Sequence, residues 1–276
     1  MTRNAYYILR WQAALLMLVI ASGCASARKI EGSVNAGNGG GEKKDASIEE
    51  LLRLLDLRYE EINTIKALVS IEVDSIPPVP LRSFDGEVVY SKPRDLRIRG
   101  FGPVFLRPIF DFVARGEDFQ FQTLNDGKIF EGNLNELLST GSIEGPIKFA
   151  DLLDVLGAVG TPFIDPSLVT ALEKTDEYYI IYVIVMHGGK GKLDKKIWID
   201  RVDHQVKKEE VFDLSGLRRM VLSFGDYRPT GGIIRPYKIS AEREGLKINL
   251  RFREIRMNPQ LEPVDFNLKG VNGAQP

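Results

Sequence analysis

The feature that most constrains this chain is a change of apolar period from 3.6 to 2 near residue 65. The period of 2 then recurs almost to the end. Ile65, Ala67, Val69, Ile71 and Val73 alternate with Lys66, Ser70 and Glu72, and only Leu68 interrupts the polar series. Successive strand side chains point to opposite faces, so this is a strand with one face buried and one in water. Strand-like segments follow at Phe84 to Ser91, Asp95 to Phe101, Ile109 to Arg115, Asp118 to Leu124 and Lys128 to Glu131. A second series occupies Tyr178 to Met186, Lys195 to Asp200, Gln205 to Asp213, Leu217 to Tyr227, Ile233 to Arg243 and Leu246 to Arg256. Tyr178 to Met186 is almost continuously apolar, as in a central strand or one apolar on both faces. Turn formers fill the gaps, among them Lys92-Pro93-Arg94, Arg115-Gly116-Glu117 and Asn125-Asp126-Gly127. Short connections between consecutive strands impose antiparallel pairing.

Helical signals are few. Ser47-Ile48-Glu49-Glu50 is a capping box, in which the Ser hydroxyl accepts from an early backbone N–H and Glu50 reaches back. Ile48, Leu51, Leu52, Leu55, Tyr59 and Ile62 then form one apolar stripe, with Arg53, Arg58, Glu60 and Glu61 mostly off it. Between the two strand series, Asn133 to Leu138 reads as a short helix, and Gly145-Pro146 breaks the chain. Ile147, Leu152, Leu153 and Leu156 make a second helical stripe, ended by Gly157 and Gly160. The expected sum is about eleven strands, one helix before them and one or two between the halves. Helices so strongly apolar on one side must bury it against the sheet. A long antiparallel sheet curls, and with helices across its mouth it encloses a space lined by alternating strand residues.

Hydrophobic residues make up 43% and charged residues 27% of the 276-residue chain, which is ordinary for a folded domain. The net charge of -1 gives no reason to expect nucleic acid as a partner. The one cysteine, Cys24, ends a distinctive N-terminus. Arg3 and Arg10 precede an apolar run from Trp11 to Ile20, then Ala21-Ser22-Gly23-Cys24. That is the layout of a secretory signal peptide, too short to be a span of about 20 apolar residues. The cysteine after Ala-Ser-Gly resembles the lipobox of bacterial lipoproteins, with Ala21 or Ile20 in place of the usual leucine. The resemblance implies cleavage before Cys24 and acylation of its thiol and new N-terminus. Ala25 rather than aspartate after the cysteine implies the outer membrane. The bulk reading alone allows an ordinary signal peptide with an incidental cysteine. The expected division is a signal peptide over 1–23, a lipidated Cys24 with a flexible linker over 24–46, one domain over 47–268 and a disordered tail over 269–276. The linker reading rests on Asn38-Gly39-Gly40-Gly41 and Lys43-Lys44, with almost no bulky apolar residues.

The order of elements from Ser47 to Leu268 resembles the LolA/LolB-like fold of lipoprotein-carrying proteins in Gram-negative bacteria. The residues that carry it are the helix leading into Ala67-Leu68-Val69-Ser70-Ile71-Glu72-Val73 and the strand and turn Leu96-Arg97-Ile98-Arg99-Gly100-Phe101-Gly102-Pro103. Pro146 to Gly160 resembles the lid. Phe212-Asp213-Leu214-Ser215-Gly216, Phe224-Gly225-Asp226-Tyr227, Arg235-Pro236 and Asp265-Phe266 resemble the C-terminal meander. The implied fold class is α+β, mainly antiparallel β: an unclosed half-barrel with an N-terminal helix and a helical lid over the concave face. The lipobox favours the membrane-anchored receptor type over the soluble carrier type. One departure stands out: the carriers hold their lid with an arginine before a proline, and this chain has Lys92-Pro93, whose ammonium lacks the guanidinium fork.

The resemblance implies two kinds of functional residue. Val104, Phe105 and Leu106, between Gly102-Pro103 and Arg107-Pro108, correspond to the receptor's membrane-insertion loop. The alternative is a loop folded onto the core. Ile76-Pro77-Pro78-Val79-Pro80-Leu81 is either a rim loop or a rigid turn. The cavity lining is expected from Val69, Ile71, Val88, Leu96, Ile98, Phe110, Phe112, Phe119, Phe121, Leu152, Leu153 and Leu156. Alternation alone fits a solid core equally well. No catalytic constellation is visible, and neither His187 nor His204 has a ligand partner at metal spacing. Gly188-Gly189-Lys190-Gly191-Lys192 lacks the spacing of a phosphate loop and reads as a hairpin tip. The expectation is a non-enzymatic lipoprotein without cofactor or metal, lipid-anchored in the outer membrane and facing the periplasm. It would take acyl chains of lipoproteins or lipids, with a soluble periplasmic carrier as donor, and help insert them in the bilayer. The alternative is a structural or assembly lipoprotein that binds a protein partner.

Overall fold

A computed structural model describes residues 41–75, 83–93, 95–102, 108–124, 127–133 and 168–267. One helix, α1 (Ile48–Glu60), leads into β1 (Thr64–Ser75), β2 (Ser83–Ser91), β3 (Asp95–Phe101), β4 (Pro108–Arg115), β5 (Asp118–Thr123) and β6 (Ile129–Asn133). The second series is β7 (Val169–Lys174), β8 (Tyr178–His187), β9 (Lys190–Asp200), β10 (Val206–Phe212), β11 (Arg218–Thr230), β12 (Ile233–Arg243) and β13 (Leu246–Met257). All belong to one 13-stranded sheet in the order β6-β5-β4-β3-β2-β1-β13-β12-β11-β10-β9-β8-β7. The sheet thus has 13 strands rather than about eleven. The strand without a sequence expectation is β7, whose Val-Thr-Ala-Leu-Glu-Lys is too short to separate strand from helix by period. The expected lid over 146–160 and the 133–138 helix beyond Asn133 lie outside the described residues.

The helix starts as the capping box requires. Glu50 N–H donates to Ser47 Oγ at 3.3 Å and Ser47 N–H to Glu50 Oε2 at 2.8 Å. Leu51, Leu55 and Ile62 from its stripe are buried. Every pairing is antiparallel, so chain reversals alternate between two ends of the sheet. Helix α1 and its flanks are fastened at one end. Lys92 Nζ donates to Tyr59 O and lies 3.8 Å from the Tyr59 ring centroid. Arg58 donates to His204 O at 2.6 Å, and Asn258 Nδ2 to Glu61 O at 2.8 Å. Lys92 therefore holds the C-terminus of α1, where a cation also complements the helix dipole. Residues 43–46, in the expected linker, are bonded to the second series: Lys44 N–H to Arg201 O and Ala46 N–H to Tyr179 Oη, each at 2.8 Å.

The inner face carries one continuous core cluster, from Phe121 on β5 to Tyr179 and Ile181 on β8. A helix of this length spans ~20 Å. The strands from β8 to β2 would span ~34 Å if flat, at about 4.8 Å each. Helix α1 therefore covers only part of the width of that face.

The outer face of β2 to β4 has its own small core of Val89, Val113 and Phe266, covered by a 3-10 turn at Pro263–Phe266. Beneath that turn, Arg97 grips Asp111 with two bonds, Nε to Oδ1 at 2.9 Å and Nη2 to Oδ2 at 2.6 Å. Its remaining nitrogen donates to Val264 O and Asp265 O at 3.1 and 3.2 Å. Hydrogen bonding to Asp111 raises the Arg97 pKa further above its ordinary value, against the opposing effect of burial. A buried charge that loses its partner is costly, whereas replacing the whole pair by apolar residues is tolerated. Asp111→Ala is thus expected to cost about 3 kcal/mol or more in denaturant unfolding, and Arg97→Met with Asp111→Leu much less. Equal losses in the two proteins would contradict this account.

Candidate functional site

The candidate site is the inner face of β1 to β6 and its continuation over β7 to β13. Of the expected lining residues, Val69, Ile71, Val88, Ile98, Phe110, Phe112, Phe119 and Phe121 lie in the inner core cluster, and Leu96 packs against it. The register explains the grouping: Ala67 opposes Val88, Val88 opposes Ile98, Ile98 opposes Phe112, and Phe112 opposes Phe121. One inner row thus crosses five strands. Leu152, Leu153 and Leu156 lie outside the described residues, as do Cys24 and Val104, Phe105 and Leu106.

Aromatic rings dominate the outer strands of this wing. Phe84 meets Phe110 edge-on with centroids 5.4 Å apart. Phe112 stacks on Phe119, and Phe121 on Phe130, each at 6.0 Å. Such pairs are worth about 0.5–1.5 kcal/mol beyond their buried area. The rings lie close to the sheet because glycine sits beneath them. A Cβ on Gly100 would stand 2.3 Å from the Phe110 ring, and one on Gly132 3.1 Å from Phe119. Phe84, Phe130, Gly100 and Gly132 are members of the site that periodicity did not single out. Glycine at an inward strand position was the available signal, since it marks close approach.

The other wing of the face is apolar but not wholly so. Ile181, Ile197, Ile199, Leu222, Phe224 and Ile239 belong to the same cluster. Among them Glu209 is only 4% exposed and opposes Ile197 and Leu222, with Lys195 Nζ 3.2 Å from its carboxylate. Arg235 is equally buried, and burial pushes its pKa down to about 10. Burial also pushes the Tyr227 phenol up, and its hydroxyl donates to Val206 O. The Val-Lys-Lys-Glu-Glu-Val run of β10 has no alternation, so nothing in the sequence marked Glu209 as inward. Among the described residues no group of three or more His, Cys, Asp or Glu side chains could hold a metal ion. No helix among them is long and apolar enough to cross a membrane. What the arrangement offers chemically is contact with apolar chains, with the buried Glu209 and Arg235 at one side.

The glycine shelf gives a direct test. Phe110 is buried and cannot swing into water, so Gly100→Ala forces overpacking. The expected loss is about 1–3 kcal/mol in chemical denaturation. A variant as stable as the parent would show that the ring does not need the space.

No protein-family model matches the chain, and no curated protein matches it. Solved structures do. A LolA superfamily protein from Nitrosomonas europaea aligns with TM-score 0.54 and 14% identity over 81% of this chain and 99% of its own. A domain named for outer-membrane lipoprotein sorting, from Vibrio parahaemolyticus, aligns with TM-score 0.55 and 14% identity over 79% and 95%. A DUF1329 family protein from Desulfovibrio piger aligns with TM-score 0.53 and 15% identity over 79% and 94%. The open antiparallel sheet, the helix at one end and these alignments together show that the chain has a LolA-like fold.

Proposed function

We propose that the protein is an envelope lipoprotein, anchored through Cys24 in the outer membrane. It binds acyl chains of lipoproteins or lipids on its inner face, receives them from a soluble periplasmic carrier and hands them to the bilayer. It works by binding alone and not as an enzyme. The observation that carries this reading is the apolar inner face of β1 to β6, with its shelf of phenylalanine rings, on a sheet whose edges β6 and β7 are not paired to each other. Each buried CH₂ contributes about 0.8 kcal/mol, so acyl chains bind such a face without charge recognition or covalent chemistry. The names borne by its structural neighbours, LolA superfamily and lipoprotein sorting, support the same cargo class. Fold alone does not fix function, and the receptor assignment rests on the Cys24 signal and on the resemblance at Gly102-Pro103.

Two experiments test the reading. The Cys24→Ala chain, extracted of lipid and mixed with a fluorescent fatty acid, is expected to take it up saturably. Absence of uptake, and of acyl chains in the untreated protein, would contradict acyl binding and favour the assembly role with a protein partner. The membrane-inserting loop is assigned to Val104, Phe105 and Leu106. Phe105→Glu with Leu106→Glu should leave uptake intact and abolish delivery of a lipoprotein to vesicles. Unchanged delivery would remove those residues from the role.

A further inference from the structure

We propose that the end of the sheet opposite α1 docks on an anionic lipid bilayer through the β8–β9 and β10–β11 hairpin tips. These tips include none of Val104, Phe105 and Leu106, and the inference does not rest on acyl binding. Large exposed apolar residues occur across the structure, and at the α1-distal end Ile129 and Val169 lie on the edge strands β6 and β7 while three others cluster. At the α1-distal end, Met186 is 64%, Leu214 51% and Leu217 70% exposed. All three sit on two neighbouring reversals, since β9 lies between β8 and β10 in the sheet. The last register pair of β10 with β9 is Val211 with Lys195, whereas β9 continues to Lys190 opposite His187. Residues 190–194 therefore project ~16 Å past that pair, at about 3.3 Å per residue, with the turn at 213–217 alongside. Gly188 and Gly189 have φ of 57° and 75°, which makes the β8–β9 reversal a tight two-residue turn without bulk at its tip.

The charges on these two tips are mostly of one sign. Lys190, Lys192, Arg218 and Arg219 surround them, and among the described residues only Arg218 has an ion pair, with Glu210 at 3.3 Å. The nearby acids are Glu210, paired with Arg218, Asp194, at the bulge of β9, Asp213, and Glu244 in the adjacent β12–β13 turn. Asp213 is turned onto its own loop, where it accepts from Ser215 N–H at 2.8 Å, Ser215 Oγ at 2.5 Å and Leu217 N–H at 3.0 Å. The adjacent β12–β13 tip pairs Glu242 with Lys247 at 2.5 Å and adds no exposed large apolar residue. Protruding apolar tips ringed by cations suit a fluid anionic surface, into which side chains sink while the cations meet headgroup phosphates. A protein partner would instead need pockets matched to three separate knobs.

The test uses the full chain with Cys24→Ala, sedimented with vesicles of phosphatidylcholine alone or with phosphatidylglycerol. The apolar run from Trp11 to Ile20 is common to all proteins compared, so only differences between them are read. The parent should favour the phosphatidylglycerol vesicles by about tenfold or more, less at high salt. Lys190→Glu, Lys192→Glu and Arg219→Glu together should abolish that preference. Leu214→Ser with Leu217→Ser should weaken binding to both vesicles, with the thermal unfolding midpoint unchanged. Binding to neither vesicle, or binding indifferent to all five substitutions, overturns the proposal and leaves an acidic protein as the occupant. No acyl cargo is present, so either outcome leaves the acyl-uptake test to stand on its own.

Discussion

One strand pairing holds this structure together: β1 against β13. Without it the chain would be two meanders, β1 to β6 and β7 to β13. With it they are a single sheet whose inner face is continuous. The pairing runs from Ile65 opposite Met257 to Ser75 opposite Leu246, with one irregularity between Leu68 and Val69. Its partners are far apart in sequence, so its formation must overcome a large loop-closure entropy. The reward is the inner row of Ile65, Ala67, Val69, Ile71 and Val73, which meets Ile248, Leu250, Phe252 and Ile255 inside the same core. Helix α1 and Asn258 bind that seam from below. Asn258 Oδ1 accepts from Asn63 N–H at 2.8 Å, while its amide nitrogen donates to Glu61 O.

The two faces of the sheet use different physics. The inner face is held mainly by burial, which is non-directional, with ring pairs in edge-on and stacked geometries. The outer face of β2 to β4 is held by the Arg97–Asp111 fork and the Pro263–Phe266 turn, which are directional and fix the strands' geometry. That backing suits the acyl binding proposed for the inner face. The same division places the polar exceptions Glu209 and Arg235 in the second wing, away from the phenylalanine shelf of the first.

Much of this was legible in the sequence, because half-buried strands announce themselves by alternation. The capping box at Ser47, the apolar stripe of α1 and the inward alternation of Val69, Ile71 and Val73 on β1 all follow from spacing alone. Other features were not legible, each for a physical reason. Strand β7 is an edge whose Val169 stays exposed, so burial imposed no clean pattern on it. The front of β9, from Lys190 to Asp194, runs past its β10 partner and is polar, so it read as turn. Arg97, Asp111, Glu209 and Arg235 are charged, and charge argues for exposure unless a partner distant in sequence neutralises the cost. The space beneath Phe110 depends on Gly100, and only the register of β3 against β4 brings the two together.

The central claim is that the inner face holds acyl chains. It is tested most directly by photo-crosslinking the chain with a diazirine fatty acid and locating the adducts by mass spectrometry. The account predicts adducts on inner residues such as Val69, Ile71, Ile98 and Phe112. Adducts confined to outer-face positions such as Leu68 and Val89, or none at all, would contradict it.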